Sequence, residues 1–133
     1  MASSDRSVDF APLEGSTTAL LTTYRPGGEA VATPLSVAVA NGKVYFVTAS
    51  DSGKARRLAG NPEVTLAPCT VVGKVTGETV MARARLVDRE ERERVTKGLL
   101  KPTGGLFWSL LAYRLFGGKR MVLFEVVPVT SRG

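Results

Sequence analysis

The order of apolar and polar positions predicts six short strands separated by turns. Glycine, proline and asparagine interrupt the alternation and set the borders of the strands. The predicted strands span residues 18–24, 29–40, 43–49, 62–69, 78–87 and 121–127. Asn41-Gly42 separates the second from the third, and this dipeptide is the strongest short-range signal for a hairpin. Because the turns are short, we expect a mainly β fold whose antiparallel strands close into a small barrel.

The second predicted strand has two unlike faces. Larger side chains lie on one face, at Val31, Thr33, Leu35, Val37 and Val39. Small side chains lie on the other, at Ala30, Ala32, Pro34, Ser36 and Ala38. Proline cannot donate a hydrogen bond to a neighbouring strand, so we expect a bend, a bulge or an open edge at Pro34. The small face suits either a flat ligand or a second layer of strands, and the pattern favours neither.

The fifth predicted strand alternates between apolar and charged positions. The side that we expect to be buried carries Val80, Ala82, Ala84 and Leu86. The other side carries Met81, Arg83 and Arg85. The two arginines either face solvent or reach a bound anion.

Two helices are predicted between the strands, and a third segment is apolar enough to need burial. The first helix spans residues 53–59. The second begins at Asp88, because Glu91 three residues later completes a pattern typical of a capping box. Residues 106–116 are apolar almost throughout, with Arg114 as their only charge. We expect the core or a dimer interface to bury this segment, in preference to a membrane surface.

Composition places the chain among soluble single-domain proteins. Its 133 residues suit one domain, residues 1–133, of which we expect about the first dozen to be mobile. The sequence is 44% hydrophobic and 23% charged, and it lacks a run of about 20 apolar residues that would span a membrane. No signal peptide is visible. A single cysteine, Cys69, cannot form an internal disulfide, so we expect a cytoplasmic protein.

The formal net charge of +6 favours an anionic partner. Nucleic acid is not the expected partner, because the aromatic residues do not alternate with basic ones and no nucleic-acid-binding motif is visible. The sequence has no histidine, which excludes an imidazole base and imidazole metal ligands. We expect Cys69 to be a buried, inert thiol. If the chain is an enzyme, a bound cofactor performs the chemistry.

Residues 50–58 form the most distinctive candidate binding segment. Their sequence, Ser-Asp-Ser-Gly-Lys-Ala-Arg-Arg-Leu, follows a strand and begins a short basic helix. The free N–H groups and the positive dipole end of a helix start attract anions. Lys54, Arg56 and Arg57 add positive charge, and the small residues allow close approach. We expect a phosphate cradle here, and a solvated basic helix is the competing interpretation.

The order of these motifs resembles the pyridoxamine-phosphate-oxidase-like superfamily of split-barrel flavin- and deazaflavin-binding proteins. Within it, the chain is most similar to the small proteins that use the deazaflavin coenzyme F420, over residues 20–127. The resemblance rests on Ala32-Thr33-Pro34-Leu35, the Asn-Gly hairpin, Tyr45-Phe46-Val47-Thr48, residues 50–58 and Asn61-Pro62. It implies a six-stranded antiparallel split barrel with two or three helices.

The resemblance also implies where a cofactor would lie. In the family a serine and a lysine contact the cofactor phosphate, and Ser50 and Lys54 match them. Arg57 falls where relatives often have asparagine. The positions that match the segments beside the cofactor ring are Thr33, Pro34, Leu35, Ser36, Val47 and Thr48. Family members are homodimers with two cofactors at the interface, each held by both subunits, which would give residues 106–116 a role in the dimer.

The function that the resemblance implies is hydride transfer from reduced F420 to a small electron-poor acceptor, such as an enone, a quinone-like ring or a tetrapyrrole. F420 carries a phosphate and a polyglutamate tail, and a basic groove suits both. FMN offers the same phosphate and is the alternative cofactor. The alternative functions are an FMN-dependent oxidoreductase and a non-catalytic carrier of a flavin, a deazaflavin or a tetrapyrrole. No residue is assigned as a catalytic acid.

Overall fold

The computed structural model describes residues 9–88, 90–92, 94–95 and 121–129. Their strands are β1 (Thr18–Tyr24), β2 (Ala30–Ser36), β3 (Ala38–Ala40), β4 (Lys43–Ala49), β5 (Glu63–Pro68), β6 (Val80–Leu86) and β7 (Met121–Pro128). Helix α1 (Gly53–Gly60) follows β4, and a short 3-10 turn (Ala11–Leu13) precedes β1. The predicted strands and the first predicted helix are therefore present, with small shifts at their borders.

The seven strands form one antiparallel sheet in the order β2-β1-β5-β6-β7-β4-β3. β2 and β3 lie at opposite ends of this order, although only Val37 separates them in the chain. The sheet must therefore curl until its two ends meet at Val37. The result is the antiparallel split barrel that the sequence predicts.

The prediction of six strands is wrong by one, because the second predicted strand breaks at Val37. Val37 is fully buried, and its N–H donates to the carbonyl of Thr17 over 3.0 Å. Before this residue the chain pairs with β1, and after it the chain pairs with β4. Pro34 lies within β2, and β1 is the only described strand that pairs with β2. Of the three expectations for Pro34, the open edge is therefore the one observed.

Asn41 and Gly42 form the predicted hairpin turn between β3 and β4. Their φ angles are 55° and 75°, both positive, as a type I′ turn requires. Ala40 pairs with Lys43 directly across the turn. Local sequence alone is sufficient to specify this connection.

One cluster of apolar side chains fills the barrel. Within it, Phe46 and Phe124 stack with their ring centroids 5.3 Å apart. Leu58 joins the same cluster from α1. Burial of a side chain of this size stabilises by about 1.5–3 kcal/mol, so Leu58 holds α1 against β1 and β4. The helix that carries the predicted phosphate site is thus fixed to the barrel.

The predicted alternation of β6 is confirmed except at its last position. The buried side carries Val80, Ala82 and Ala84. Leu86, which we expected to be buried with them, is 53% exposed, while Val87 is 4% exposed. The N–H of Val87 donates to the carbonyl of Leu123, and its side chain packs in a second cluster outside the barrel. The expectation for Leu86 is wrong because the chain leaves the strand here and buries the next residue instead.

Asp88 begins a helical segment, as the capping pattern predicts. Its Oδ1 atom accepts a hydrogen bond of 2.8 Å from the N–H of Glu91, and its carbonyl accepts one of 2.9 Å from Arg92. Residues 90–92 and 94–95 are helical. The apolar segment 106–116, with its expected burial in the core or a dimer interface, lies outside the described residues.

The packed part of the chain begins earlier than expected. Residues 1–8 lie outside the described part, but Phe10 is 2% exposed and Leu13 is fully buried in the barrel cluster. Both side chains would have to leave the core for residues 10–13 to move freely. Phe10 and Leu13 are therefore packed, although they fall within the dozen residues that we expect to be mobile.

Candidate functional site

The barrel is open between β2 and β4. β3 pairs with β4 only as far as Ala38 and Tyr45. Before Val37 the chain pairs with β1 instead, so β2 diverges from β4. Among the described strands, residues 46–49 pair only with β7, and β2 pairs only with β1. Both strands therefore present free backbone N–H and carbonyl groups along this opening, which we call the split.

Helix α1 begins just after the end of β4 that lies away from the hairpin. β4 runs away from the hairpin and ends at Ala49, shortly before Ser52, the N-cap residue of α1. The Oγ atom of Ser52 accepts a hydrogen bond of 3.1 Å from the N–H of Ala55 and another of 3.0 Å from the hydroxyl of Thr48. These bonds fix the helix start to the end of β4. The N–H of Ala55 is used by this cap, whereas the N–H groups of Gly53 and Lys54 have no partner within the helix and are available to an anion.

The side chain of Arg57 folds back over the start of α1. Its Nε atom donates a hydrogen bond of 2.6 Å to Oγ1 of Thr23, which is 1% exposed near the end of β1. A Cβ atom on Gly53 would lie 2.8 Å from Nη1 of Arg57, so glycine leaves the space that the guanidinium occupies. The arginine therefore adds a positioned positive charge to the free N–H groups of the helix.

Lys54 and Ser50, the two predicted phosphate contacts, lie on either side of the N-cap. Lys54 is the second residue of α1, and its ammonium has no hydrogen bond or ion pair with another described residue. Ser50 is exposed in the turn before α1. Its contact with a phosphate remains a prediction, because the serine that organises this helix start is Ser52.

The positions matched to a cofactor ring lie on both arms of the split. Residues 33–36 lie on β2 and pair with residues 18–21 of β1. Val47 and Thr48 lie on β4, opposite Leu123 and Val122 of β7. Thr48 is buried and bonded to Ser52, while Val47 packs in the outer cluster beside Leu123. The six positions therefore border one opening, and their contact with a ring remains a prediction.

The small face of β2 is open in the single chain. Ala30, Ala32 and Pro34 are exposed. A Cβ atom on Gly73, in the loop between β5 and β6, would lie 3.7 Å from Cγ of Pro34, so that loop passes beside the face. No described strand layer packs on it, which leaves the face available to a ligand or to another chain.

A cleft of about 350 Å³ lies between α1 and the turn that joins β1 to β2. We call it the arginine cleft. Its lining residues are Tyr24, Arg25, Pro26, Arg56, Arg57, Gly60 and Asn61. Arg57 therefore belongs both to the helix start and to this cleft.

Arg85 is not free to bind an anion, because it is paired with two carboxylates. Its Nε and Nη2 atoms lie 3.2 and 2.9 Å from Oε1 of Glu125, and its Nη1 and Nη2 atoms lie 3.0 and 2.9 Å from the two carboxylate oxygens of Glu91. The hydroxyl of Tyr45 donates to Oε2 of Glu125 over 3.1 Å, and Lys43 approaches the same oxygen at 3.4 Å. Arg85 is about half exposed, so it faces solvent in part, as one of the two interpretations for the β6 arginines expects, and its charge is neutralised by these carboxylates.

The charges around Glu125 shift the pKa values of this cluster. Burial alone would raise the pKa of Glu125, but the hydrogen bonds and charge of Arg85 outweigh burial and hold that pKa below its ordinary value. Burial, followed by the charge and hydrogen bond of Glu125, raises the pKa of Tyr45 to about 12. Glu125 is therefore an ionised carboxylate with a structural role in the barrel wall.

Other chemistry is limited in the described part of the chain. Cys69 is a free, buried cysteine whose pKa is raised by burial, which confirms the prediction of a buried thiol. Among these residues, no group of three or more Cys, Asp and Glu side chains is close enough to hold a metal ion. The helices found there are also too short and too polar to cross a membrane.

Two residues of the candidate site carry no signal in the sequence. Thr23 lies in an ordinary alternating strand, so nothing marks it as the anchor of Arg57. Arg25 lies in a predicted turn, and only the fold brings it to the arginines of α1. Ser52 could have been found, since serine directly before a helix start is a typical N-cap.

The curled antiparallel sheet and its open edge define a split-barrel protein. Residues 8–126 match the family model described as pyridoxamine 5'-phosphate oxidase. The chain therefore belongs to the pyridoxamine 5'-phosphate oxidase family, as the resemblance of its motifs predicted. No curated protein matches the sequence at a significant level.

Solved structures confirm the fold. Protein Atu2129 of Agrobacterium tumefaciens, of unknown function, has a TM-score of 0.67 and 16% identity over 98% of this chain, which spans 57% of that protein. An FAD-binding protein of Mesorhizobium loti has a TM-score of 0.63 and 14% identity over 90% of this chain and 86% of its own. The heme storage protein HutZ of Vibrio cholerae has a TM-score of 0.62 and 16% identity over 90% of this chain and 85% of its own.

Proposed function

We propose that this protein binds the deazaflavin coenzyme F420 and transfers a hydride from its reduced form to a small electron-poor acceptor. The observation that carries the proposal is the start of α1, where Gly53, Lys54 and Arg57 lie together beside the open edge of β4. A cofactor phosphate bound there would leave the rest of the molecule to extend along the split.

The helix start suits a phosphate in both charge and shape. Lys54 and Arg57 supply two positive charges, and the first turn of α1 supplies free N–H donors. The absence of a side chain on Gly53 allows the guanidinium of Arg57 to lie against the helix. Each of these features favours the binding of a compact anion over the competing interpretation, in which this segment is a solvated basic helix.

The split suits the ring of a flavin or a deazaflavin. The unpaired edges of β2 and of residues 46–49 offer backbone N–H and carbonyl groups, although Pro34 has no N–H to offer. The pyrimidine edge of such a ring alternates donors and acceptors, so it can hydrogen-bond to a strand edge as another strand would. Residues 33–36, with Val47 and Thr48, would then flank the ring.

The bound cofactor would supply the hydride, and the residues of this chain would bind and orient it. Lys54 and Arg57 would hold the phosphate, which fixes the distance from α1 to the ring. The strand edges would align the ring and help to exclude water from it. The chain has no histidine, so the proton that completes reduction of the acceptor would come from solvent or from a hydroxyl group.

FMN is the second candidate cofactor, because it offers the same phosphate and a ring of the same shape. The similarity in fold to an FAD-binding protein favours a flavin-type ring in this barrel. A tetrapyrrole carrier is the second candidate function, and the similarity in fold to a heme storage protein favours it. The excess of positive charge supports F420, which has more anionic groups than FMN.

We also propose that two chains assemble with the cofactor at their interface. In the single chain the split is open and the small face of β2 is exposed. Val71 and Val72, in the loop that passes beside this face, are 81% and 84% exposed. A second copy that covered these apolar side chains would also close the ring site against water.

Titration of the purified protein with oxidised F420 tests the proposed function. We expect saturable quenching of the cofactor fluorescence at micromolar concentrations. Lys54→Ala should weaken binding by about 1.5–3 kcal/mol, because a charge-assisted bond to phosphate is lost. Arg83→Ala, which removes the same charge from the exposed side of β6, should leave binding unchanged.

The same preparation separates the candidate functions. Turnover of a panel of enones with reduced F420 indicates a reductase, whereas tight binding without turnover indicates a carrier. Binding of FMN in place of F420 would assign the second cofactor. If neither F420 nor FMN binds at micromolar concentrations, both the reductase and the flavin-carrier proposals are wrong.

A further inference from the structure

The turn between β3 and β4 carries two adjacent groups that can react with each other. Asn41 and Gly42 are its two central residues, and both are exposed. The carboxamide of Asn41 and the backbone N–H of Gly42 have no hydrogen bond to another described residue. Because glycine has no Cβ atom, its nitrogen is unshielded and can attack the side-chain amide before it. The hairpin tip therefore holds an unprotected amide beside an unprotected nucleophile.

Asn61, the only other asparagine of the chain, lacks both features. Pro62 follows it and has no N–H to react. The Oδ1 atom of Asn61 also accepts a hydrogen bond of 3.0 Å from the N–H of Glu63. The sequence contains no glutamine. Asn41 is therefore the one side-chain amide that can react with the nitrogen after it, and Asn61 is a control within the same molecule.

The turn restrains this reaction until the hairpin tip opens. Asn41 has a φ angle of 55°, in the left-handed region, where the next nitrogen points away from the side chain. A rotation about the Cα–C bond of Asn41 brings the two groups together, and this rotation breaks the turn. β3 has three residues and β4 is its only partner among the described strands, so few hydrogen bonds resist the opening. The rate of reaction therefore depends on local opening.

We propose that Asn41 is a site of spontaneous deamidation, through a succinimide formed with Gly42. The nitrogen of Gly42 loses its proton and bonds to Cγ of Asn41, and the Cγ–N bond of the carboxamide breaks to release ammonia. Water then opens the ring at one of its two carbonyl carbons. One product is aspartate, and the other is isoaspartate, in which the main chain runs through Cβ and Cγ. The steps consume only water, so no enzyme, oxidant or cofactor takes part.

The two products should affect the barrel differently. Aspartate before glycine suits the same type of turn, so it should keep the pairing of Ala40 with Lys43. Isoaspartate adds one atom to the main chain, which changes the length of the turn that fixes the register of the hairpin. β3 should then separate from β4. This separation would lengthen the open edge of β4 from residues 46–49 to residues 43–49.

Mass spectrometry of the intact, folded protein tests the site. Mildly alkaline buffer removes the proton of Gly42 more readily, so incubation there should produce the small mass gain of an amide-to-acid conversion. Peptide mapping should place aspartate and isoaspartate at position 41 and leave Asn61 unchanged. Asn41→Gly keeps a pair of residues that favours this turn but removes the amide, and it should show no mass gain.

The denatured protein provides the reference rate. It should convert several-fold faster than the folded protein, because the turn no longer restrains rotation at Asn41. A folded protein that stays unmodified over the time in which the denatured protein converts fully would overturn the proposal. A mass gain in Asn41→Gly equal to that of the original protein would also overturn it.

Hydrogen exchange on the separated products tests the effect on the hairpin. Ion-exchange chromatography isolates the aspartate and isoaspartate forms. In the isoaspartate form, the amides of β3 and of residues 43–45 should exchange several-fold faster, whereas Asn41→Asp should match the original protein. Equal exchange in the two forms would overturn the proposed separation of β3. No cofactor is present in these measurements, so their outcome does not depend on the proposed function.

Discussion

The Nε atom of Arg57 lies 2.6 Å from Oγ1 of Thr23, and this hydrogen bond joins helix α1 to the end of strand β1. Thr23 is 1% exposed, so its hydroxyl has a fixed position in the barrel wall. The guanidinium is consequently held beside Gly53, where it faces the free N–H groups of the helix. A long, flexible side chain is thereby preorganised for an anion, which reduces the entropy lost on binding.

Thr23→Val should loosen Arg57 without changing the shape of the barrel wall. Valine has nearly the same volume as threonine but cannot accept the hydrogen bond. We expect the free energy of unfolding to fall by about 1 kcal/mol and the affinity for F420 to fall several-fold. Chemical denaturation and fluorescence titration measure the two effects. Thr22→Val, at the neighbouring half-buried position of β1, is the control and should leave F420 affinity unchanged.

Gly53→Ala should separate binding from stability. The new Cβ atom would lie 2.8 Å from Nη1 of Arg57, so the guanidinium must move away from the helix start. Alanine also reduces the conformational entropy of the unfolded chain, an effect worth about 0.4–1 kcal/mol, which offsets the strain. We expect nearly unchanged stability in thermal denaturation and weaker binding of F420 in the fluorescence titration. Unchanged affinity would show that Arg57 does not contact the phosphate.

The two serines before α1 should have different roles. Ser52→Ala removes the N-cap and the bond to Thr48, so we expect a loss of about 1 kcal/mol in the free energy of unfolding. Ser50→Ala should leave stability unchanged, because Ser50 is exposed. If Ser50 contacts the phosphate as the family resemblance implies, its substitution weakens F420 binding alone. A stability loss in Ser50→Ala would contradict this assignment.

Glu125→Gln should change how stability depends on pH. The pKa of Glu125 is lower in the folded state than its ordinary value of 4.5, so its ionised form favours folding. This contribution is present above about pH 4.5 and is lost as the pH falls through the lower, folded-state pKa. Denaturant titrations at neutral and at acidic pH measure it.

The expected loss in Glu125→Gln at neutral pH is about 1–3 kcal/mol, because a buried carboxylate with several donors is replaced. Solvent screens part of the effect, since the side chains of Arg85 and Lys43 are about half exposed. At acidic pH the difference from the original protein should shrink. Glu63→Gln, at an exposed position on β5, is the control and should show neither effect. A constant difference at every pH would contradict the proposed role of Glu125.

Local patterns predicted most of the secondary structure. Asn41-Gly42 specifies its turn because both positions adopt positive φ angles that these residue types tolerate. Asp88 specifies the start of the second helix because its side chain bonds to a residue only three positions away. The break at Val37 was not predicted, since it depends on a hydrogen bond to Thr17 and on which neighbour each half of the strand finds.

The candidate site was predicted only where its residues are adjacent in the chain. Lys54 and Arg57 lie in one basic segment, and the free N–H groups of a helix start made that segment a candidate for phosphate. Its anchor was not visible, because Thr23 and Arg57 are 34 positions apart. The pairing of Arg85 with Glu125 was also missed, because 40 positions separate them and Glu125 lies within an apolar strand.

By itself, the sequence determined most of the elements, the hairpin, the capped start of the second helix and the excess of positive charge, because each depends on neighbouring residues or on composition. Only the tertiary structure decided where the barrel opens and which arginine is free, anchored or neutralised. The physical reason is that strand edges and ion pairs are made by long-range pairing. Arg25 and Arg85 are alike as residues, yet one lines an open cleft and the other is bonded to two carboxylates.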